Sequence, residues 1–113
     1  MTPEEFRKFG HEIIDWIADY REGVGAYPVM STIQPGSIRT ALPTAPPETP
    51  EPFENVVTDL DQLILPGVTH WNHPDYFAYF PSNASLPSVL GDLLCSGIGG
   101  IGLNWQSMPA LTV

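Results

Sequence analysis

The side chains best suited to chemistry lie in one segment, residues 66–82, which reads PGVTHWNHPDYFAYFPS. It contains two of the three histidines, one of the three tryptophans and two of the four tyrosines of the chain. Aromatic rings offer a large contact area, and tyrosine, tryptophan and histidine add polar groups that can orient a ligand. The segment therefore predicts a pocket wall. A core strand with aromatic packing is the alternative that composition leaves open.

No set of catalytic or metal-binding residues stands out beside this wall. His70 and His73 are three apart, which would suit metal ligation on a helix, but the segment is too rich in proline and aromatics to be helical. A Ser-His-Asp triad has no GxSxG turn to support it. Asp59 and Asp61 are interpreted as the solvated face of a helix. The glycines of residues 97–102 follow a predicted helix, which excludes a GxGxxG phosphate loop.

Composition and charge narrow the classes of partner. The net charge is −9 with only four basic residues, which argues against nucleic acid and anionic membrane surfaces. Charged residues make up 15% of the chain, where about 25% is usual, so we expect other protein to cover part of the surface. The single cysteine, Cys95, lies in an apolar run and is interpreted as a buried small hydrophobe. The absence of a second cysteine and of a signal peptide fits a cytoplasmic location.

The elements that must position the wall begin with a long helix. Thr2 to Glu5 form a capping box with proline at the first helical position. Apolar residues then recur at helical spacing, so we predict a helix from Pro3 to about Glu22 that ends at Gly23. His11 falls off the apolar stripe and is given no role.

A proline-rich connection and a second helix lead to the aromatic segment. Residues 24–52 predict an extended arm with a turn at Gln34-Pro35-Gly36. Its proline-rich part, residues 41–52, should be largely polyproline II. A disordered linker is the alternative. The second helix is predicted over residues 52–65 and stops at Pro66-Gly67. Residues 75–80 predict a short strand or extended segment.

The remaining residues predict a third helix and a fragment of a fourth. Ser85 as N-cap and Pro87 in the first turn signal a helix that is apolar nearly all round and should therefore be buried. The glycines after it predict a helix exit and a close backbone approach. Ser107 with Pro109 resembles another helix start, and we expect the protein to continue beyond Val113.

Taken together, the motifs resemble a known family. They closely resemble the amino-terminal region of the group II pyridoxal-phosphate-dependent decarboxylases, and among these the aromatic-L-amino-acid type acting on DOPA, tryptophan, tyrosine or histidine. The resemblance covers essentially the whole chain. The segments that carry it are EFRKFGHEIIDWIADY, the QPG turn, LPGVTHW, Thr69-His70-Trp71, His73-Pro74, Phe77-Ala78-Tyr79-Phe80-Pro81-Ser82 and the residues from Ile98 to Trp105.

The resemblance implies a fold and a domain division. The chain would be mostly α: amino-terminal helices, an extended arm and the start of the large domain of an aminotransferase-like, fold type I α/β protein. Residues 1–84 would form an amino-terminal dimerisation segment, and residues 85–113 would begin the large domain. Family members are intertwined homodimers. Their cofactor, pyridoxal phosphate, is held as a Schiff base by a lysine that we expect beyond Val113.

The resemblance also implies which residues bind substrate. Trp71, Tyr79, Phe80, Pro81 and Ser82 would line the site for the amino-acid side chain. Family members often have threonine where Ser82 stands, and either hydroxyl would hydrogen-bond near the substrate carboxylate. Ile101 and Leu103 would reach the pocket of the neighbouring subunit. Many animal enzymes have phenylalanine in place of Leu103, which leaves the preferred aromatic amino acid open. No catalytic, cofactor-binding or metal-binding residue is implied within this chain.

We therefore expect the substrate-pocket and dimer-interface part of an enzyme that converts an aromatic L-amino acid to its amine and CO2. The chain alone is expected to be inactive. The alternative is a truncated interaction module that packs on a decarboxylase-like partner without catalysis. Aldehyde synthesis on the same fold also stays open.

Overall fold

The computed structural model describes residues 1–80 and 85–111 of the chain. They fall into two compact units, Met1–Tyr79 and Phe80–Val113. Throughout the described ranges the regular structure is helical, with turns and irregular connections and no β-strand. The expectation of a mostly α chain is therefore confirmed for these residues. None of the described helices has the length and apolar character of a membrane span.

Helix α1, Pro3–Gly23, begins and ends where the sequence predicts. The Thr2 hydroxyl accepts a hydrogen bond from the Glu5 backbone N–H, and the Glu5 carboxylate accepts one from Thr2 N at 2.7 Å. These bonds satisfy donors that a helix start leaves unpaired. A 3-10 turn, Val24–Ala26, follows the helix and buries Val24.

The arm is less uniformly extended than predicted, because it contains a short helix. The QPG turn forms, with Gly36 at φ 90° and a 3.1 Å bond from Ser37 N to the Gln34 carbonyl. Helix α2, Ser37–Ala41, starts directly after it. From Leu42 to Pro52 the backbone has no helix or strand, and its two end residues have polyproline II dihedral angles.

The second predicted helix forms in three successive stretches. Helix α3, Phe53–Asp59, continues as a π-helical turn, Leu60–Ile64, and a 3-10 turn, Leu65–Gly67. Gly67 permits a close approach, since a Cβ there would lie 2.5 Å from Cδ1 of Ile38 in α2. This region therefore packs against the arm that precedes it.

Side-chain contacts join α1 to the α3 region, among them the Lys8–Glu54 ion pair at 3.2 Å. The rings of Phe9 and Phe53 lie 4.8 Å apart, and Phe9 is buried. The Trp16 indole N–H donates to Asp61 Oδ1 at 2.8 Å. Asp61, predicted to lie on the solvated face of a helix, is exposed and accepts this bond from Trp16, 45 positions away.

Residues 75–80 were predicted to be a short strand or an extended segment, and the strand does not form. Two turns lead into this stretch, with His73 N donating to the His70 carbonyl at 2.9 Å and Tyr76 N donating to the His73 carbonyl at 3.0 Å. Backbone groups that pair within turns are not available to a neighbouring strand. Pro74 has no N–H to offer, which further disfavours a ladder.

The second unit is built around helix α4, Leu86–Ile98. Ser85 caps it as predicted, accepting from Ser88 N, and Gly99 ends it in the left-handed region at φ 65°. The predicted burial is wrong for these residues: Leu94 is 65% exposed and Cys95 is exposed. Apart from α4, the described part of this unit has only turns and the 3-10 turn Pro109–Leu111, which are too little to cover it.

The glycines after α4 allow the close approach that the sequence predicts. A Cβ on Gly100 would overlap the side chain of Met108, and one on Gly102 would lie 3.1 Å from Leu111 Cβ. Ser107 stabilises the loop that follows α4. Its hydroxyl accepts a hydrogen bond from Asn104 N and donates one to the Ile101 carbonyl, each at 3.0 Å.

Candidate functional site

Three aromatic side chains of the first unit form a stack, here called the ring stack: Trp71, Tyr76 and Tyr79. Trp71 lies 5.3 Å from Tyr76 and 5.6 Å from Tyr79 between ring centroids, with interplanar angles of 23° and 11°. Trp71 is 45% exposed and Tyr79 is 79% exposed. Flat rings held against one another present an apolar surface on which a further ring can pack.

The backbone of the ring stack is unusual at Tyr79. This residue has φ 56°, the left-handed region, and it is the one described non-glycine residue with a positive φ. The left-handed region costs an L-residue with a Cβ roughly 1–2 kcal/mol. Such conformations occur most often in binding and active sites, where surrounding structure holds them.

The ring stack also affects the Tyr76 hydroxyl. Loss of hydration at the stacked ring, followed by the nearby Tyr79, raises the pKa of Tyr76 above its usual value of 10.0. Tyr76 therefore stays protonated at neutral pH and can act as a hydrogen-bond donor.

His70 anchors the start of the aromatic segment. It is only 2% exposed, its Nδ1 lies 2.8 Å from the Tyr20 hydroxyl, and the Tyr27 ring stacks on it at 4.9 Å. Its backbone N–H donates to the Val29 carbonyl at 2.9 Å. Burial, and then the neighbouring His73, lower the pKa of His70 below 6.5, so the imidazole is neutral at pH 7.

His73 anchors the next turn and has a defined tautomer. It is 8% exposed; its Nδ1 accepts from Asp75 N at 2.9 Å, and its Nε2 lies 3.3 Å from the Gly25 carbonyl. Only a neutral imidazole with the proton on Nε2 can make both bonds. Among the described residues, no three histidine, cysteine or acidic side chains lie close enough to share a metal ion.

A small cavity within the first unit has His70 in its lining. Its volume is about 180 Å³. It is lined by Tyr27, Pro28, Thr32, Asp61, Leu65, Pro66, Val68 and His70. Sequence reasoning missed the contribution of Tyr20 and Tyr27. The available signal was the run of aromatic residues Trp16, Tyr20 and Tyr27 along and just beyond α1, whose successive rings lie 5.5 Å and 6.0 Å apart.

The structure brings together only some of the residues predicted to bind substrate. Trp71 and Tyr79 meet in the ring stack. Phe80 begins the second unit and is fully exposed, and Pro81 and Ser82 lie outside the described residues.

Two further predicted residues belong to the second unit. Ile101 and Leu103 are 74% and 78% exposed and share a tight turn, with Leu103 N donating to the Ile101 carbonyl at 2.9 Å. Their exposure makes them available to bind other groups, and their predicted role in a neighbouring subunit stays a prediction.

Comparison with known proteins agrees with the resemblance noted in the sequence. Residues 35–113 match the model of the pyridoxal-dependent decarboxylase conserved domain. The aromatic-L-amino-acid decarboxylase of Rattus norvegicus is 46% identical over 112 residues, which are 99% of this chain and 23% of that relative. The chain therefore spans about a quarter of the length of this curated relative.

Solved structures show the same similarity. A crystal structure of Oryza sativa TDC with PLP and tryptamine matches 97% of this chain and 23% of that one, with a TM-score of 0.91 and 34% identity. A structure of Rhodiola rosea 4-hydroxyphenylacetaldehyde synthase matches 97% of this chain and 24% of that one, with a TM-score of 0.90 and 36% identity. With most of its length matched by the family model, the chain belongs to the pyridoxal-dependent decarboxylase family.

Proposed function

We propose that this chain is the amino-terminal, substrate-pocket and dimer-interface part of a pyridoxal-phosphate-dependent decarboxylase. The whole protein would convert an aromatic L-amino acid to its amine and CO2. The observation that carries the proposal is the exposed ring stack in a segment that also contains two buried histidines. The 46% identity to an aromatic-L-amino-acid decarboxylase supports it, because the similarity includes this segment.

The residues of this chain do not fit a role in holding the cofactor. The one lysine, Lys8, has its Nζ 3.2 Å from Glu54 and 4.0 Å from Glu12, over the Phe9 ring. Its described partners are thus carboxylates and a ring of the helical region, and none of them belongs to the ring stack. Arg39 is the one basic residue after Glu22, so a phosphate would find little positive charge. We expect the cofactor to be held by residues beyond Val113.

The proposed work of this chain is binding and dehydration. Trp71 and Tyr79 would pack against the aromatic side chain of the substrate, with Phe80 and Pro81 extending that wall. The Ser82 hydroxyl would hydrogen-bond near the substrate carboxylate. Apolar surroundings would exclude water from the carboxylate that is lost.

A second copy of the protein is proposed to complete the pocket through Ile101 and Leu103. The exposed apolar surface of α4 and the low charge of the chain support this, because large exposed apolar surfaces mark sites of protein association. The division into a dimerisation segment, residues 1–84, and the beginning of a large domain, residues 85–113, belongs to the same proposal. So does a cytoplasmic location.

Replacement of Tyr79 in the full-length protein tests the proposal. Tyr79→Ala should lower kcat/KM for an aromatic amino acid about tenfold or more, while the cofactor absorbance stays unchanged. The matched control is Phe77→Ala, since Phe77 is 89% exposed and packs on no described ring. Equal loss of turnover and cofactor would show that the ring stack maintains the fold rather than the substrate site.

The absence of a cofactor lysine can be tested separately. The 113-residue chain mixed with pyridoxal phosphate should show no absorbance of a lysine-bound cofactor. Such an absorbance would contradict the assignment of the cofactor site to residues beyond Val113.

Aldehyde synthesis is a second candidate, favoured by the similarity to a 4-hydroxyphenylacetaldehyde synthase. Product analysis with purified full-length protein separates the two, because the decarboxylase releases an amine and the synthase an aldehyde. A non-catalytic module remains the third possibility, and a reading frame that stops after Val113 would favour it.

A further inference from the structure

We infer that His73 is a positioning residue for the ring stack: its imidazole ties the turn that carries Tyr76 and Tyr79 to the end of α1. The kinetic part of this inference rests on the proposed function, whereas its structural part does not. His73 would not touch substrate; it would act through the rings that do.

The first support is the pair of hydrogen bonds made by one imidazole. Nδ1 accepts from Asp75 N at 2.9 Å within the aromatic segment, and Nε2 donates to the Gly25 carbonyl at 3.3 Å, 48 positions away. A single neutral ring therefore bridges the turn and the 3-10 turn after α1. Because the ring is 8% exposed, water does not readily replace either partner.

The second support is the packing beside those bonds. The Pro74 ring lies 3.8 Å from where a Cβ on Gly25 would stand, so the two segments are in contact at this point. The Val29 carbonyl accepts from His70 N, which adds a backbone bond between the same two regions.

The third support is the alternation of side chains along the segment. His70 and His73 are buried, whereas Trp71 is 45% and Tyr79 79% exposed. One short stretch of backbone thus carries both the buried anchors and the exposed rings. We therefore expect a shift of the backbone at His73 to move the rings that flank Trp71.

The two bonds can be separated by substitution in the full-length protein. In His73→Asn the side-chain oxygen lies near the position of Nδ1 and can accept from Asp75 N. In His73→Gln the side-chain nitrogen lies near Nε2 and can donate to the Gly25 carbonyl. His73→Ala removes both, and Phe77→Ala is the exposed control from the same segment.

We expect His73→Ala to raise the KM for an aromatic amino acid about tenfold, with kcat and cofactor absorbance changed less than about twofold. His73→Asn should recover most of the affinity, because it restores the shorter bond, and His73→Gln should recover less. An unchanged KM in His73→Ala, or no recovery in His73→Asn, would overturn the inference. A lowered melting temperature without a change in KM would also overturn it, since that is the result of a purely structural role.

A readout independent of turnover keeps the inference testable by itself. The near-ultraviolet circular dichroism of the stacked Trp71, identified as the band lost in Trp71→Phe, should weaken in His73→Ala and return in His73→Asn. An unchanged band in His73→Ala would overturn the inference. If His73→Ala does not fold, the comparison of His73→Asn with His73→Gln decides. The inference is overturned if His73→Asn has neither a lower KM nor a stronger Trp71 band than His73→Gln. If the wild-type protein decarboxylates no aromatic amino acid, the proposed function fails while this spectroscopic test still decides the role of His73.

Discussion

The two units of the chain are held together in different ways. In Met1–Tyr79, polar side chains distant in sequence form pairs: Trp16 with Asp61 and Tyr20 with His70 are 45 and 50 positions apart. In Phe80–Val113, the side-chain hydrogen bonds between described residues span at most six positions. The first unit is thus joined by long-range polar contacts, whereas the second is joined locally.

This difference indicates what each unit contributes. The partly buried Tyr20–His70 hydrogen bond specifies one arrangement of α1 and the aromatic segment. Helix α4 is apolar on most of its surface yet exposed, so its own unit does not supply the burial that such a helix requires. We expect the missing burial to come from protein beyond the described residues.

The largest expected effect contrasts one buried ring with one exposed leucine. Phe9→Ala should cost about 3–5 kcal/mol of unfolding free energy, because it removes a buried ring that packs on Phe53. Leu93→Ala should change stability by less than about 0.5 kcal/mol in the 113-residue chain, since Leu93 is 49% exposed. Urea unfolding followed by fluorescence measures both.

The same leucine sharpens the contrast in the full-length protein. There we expect Leu93→Ala to cost about 2–5 kcal/mol, as in a buried core. A negligible cost in both contexts would show that α4 stays uncovered.

The next effect contrasts two glycines at the end of α4. Gly99 lies at φ 65°, so Gly99→Ala should destabilise the helix end by about 1–2 kcal/mol. Gly97 is helical with no heavy atom within 4 Å of an added Cβ, so Gly97→Ala should stabilise the helix by about 0.5–1 kcal/mol. Far-ultraviolet circular dichroism during unfolding measures the difference. Effects of the same sign would contradict the assigned helix end.

A smaller effect concerns the Tyr20–His70 hydrogen bond. Tyr20→Phe should cost about 1 kcal/mol, because it removes the partner of His70 Nδ1. The Tyr27 ring also stacks on the His70 imidazole, at 4.9 Å between centroids.

The lowered pKa of His70 makes stability depend on pH. The unfolded chain binds a proton at His70 near pH 6.5, whereas the folded chain binds it only at lower pH. The stability that the neutral His70 contributes to the fold is therefore fully present above about pH 6.5. It is lost as the pH falls toward the pKa that His70 has in the folded chain. Urea midpoints at about pH 7.5 and about pH 5.5 should converge in His70→Gln but not in His11→Gln, since His11 is exposed. A pH dependence unchanged in His70→Gln would contradict this origin.

The smallest effect is expected at the Lys8–Glu54 ion pair. The charged atoms are 3.2 Å apart, and the side chains are 57% and 56% exposed. A hydrogen bond from the backbone of Glu54 itself, and then the bond from Lys8, lower the pKa of the Glu54 carboxyl. The ionised Glu54 carboxylate therefore contributes to folding stability above the usual carboxyl pKa, and this contribution is lost as the pH falls.

Salt distinguishes this pair from the buried contacts. Lys8→Met should lower the melting temperature less than Tyr20→Phe does, and the difference from wild type should fade in concentrated salt. A loss that persists at high salt would show that the Lys8 stem, packed over Phe9, matters more than its charge.

Much of the helical framework was predictable, because its signals are local. The capping box at Thr2 predicted the start of α1, Ser85 predicted the start of α4, and Pro35-Gly36 predicted the turn before α2. Each of these patterns involves only three or four neighbouring residues, so it forms independently of how the segment packs against the rest of the chain. The short helix α2 was missed, because five residues carry too little periodicity to stand out from an arm.

The ring stack was predicted only in part. The aromatic composition of residues 66–82 indicated a wall, but Tyr76 was not among its predicted members, and a strand was expected where turns form. Aromatic residues, proline and aspartate occur together in this segment, so its local pattern did not separate turns from a strand.

The sequence by itself therefore determined the limits of α1, the start of α4, the family and the aromatic segment, because caps, periodicity and motif residues are read within a few positions. Only the tertiary structure decided that His70 and His73 are buried anchors, that Trp71, Tyr76 and Tyr79 stack, and that α4 is exposed. The two histidines, for example, contact Tyr20 and the Gly25 carbonyl. Tyr20 is 50 positions from His70, and Gly25 is 48 positions from His73. Contacts between residues so distant in sequence leave no local pattern.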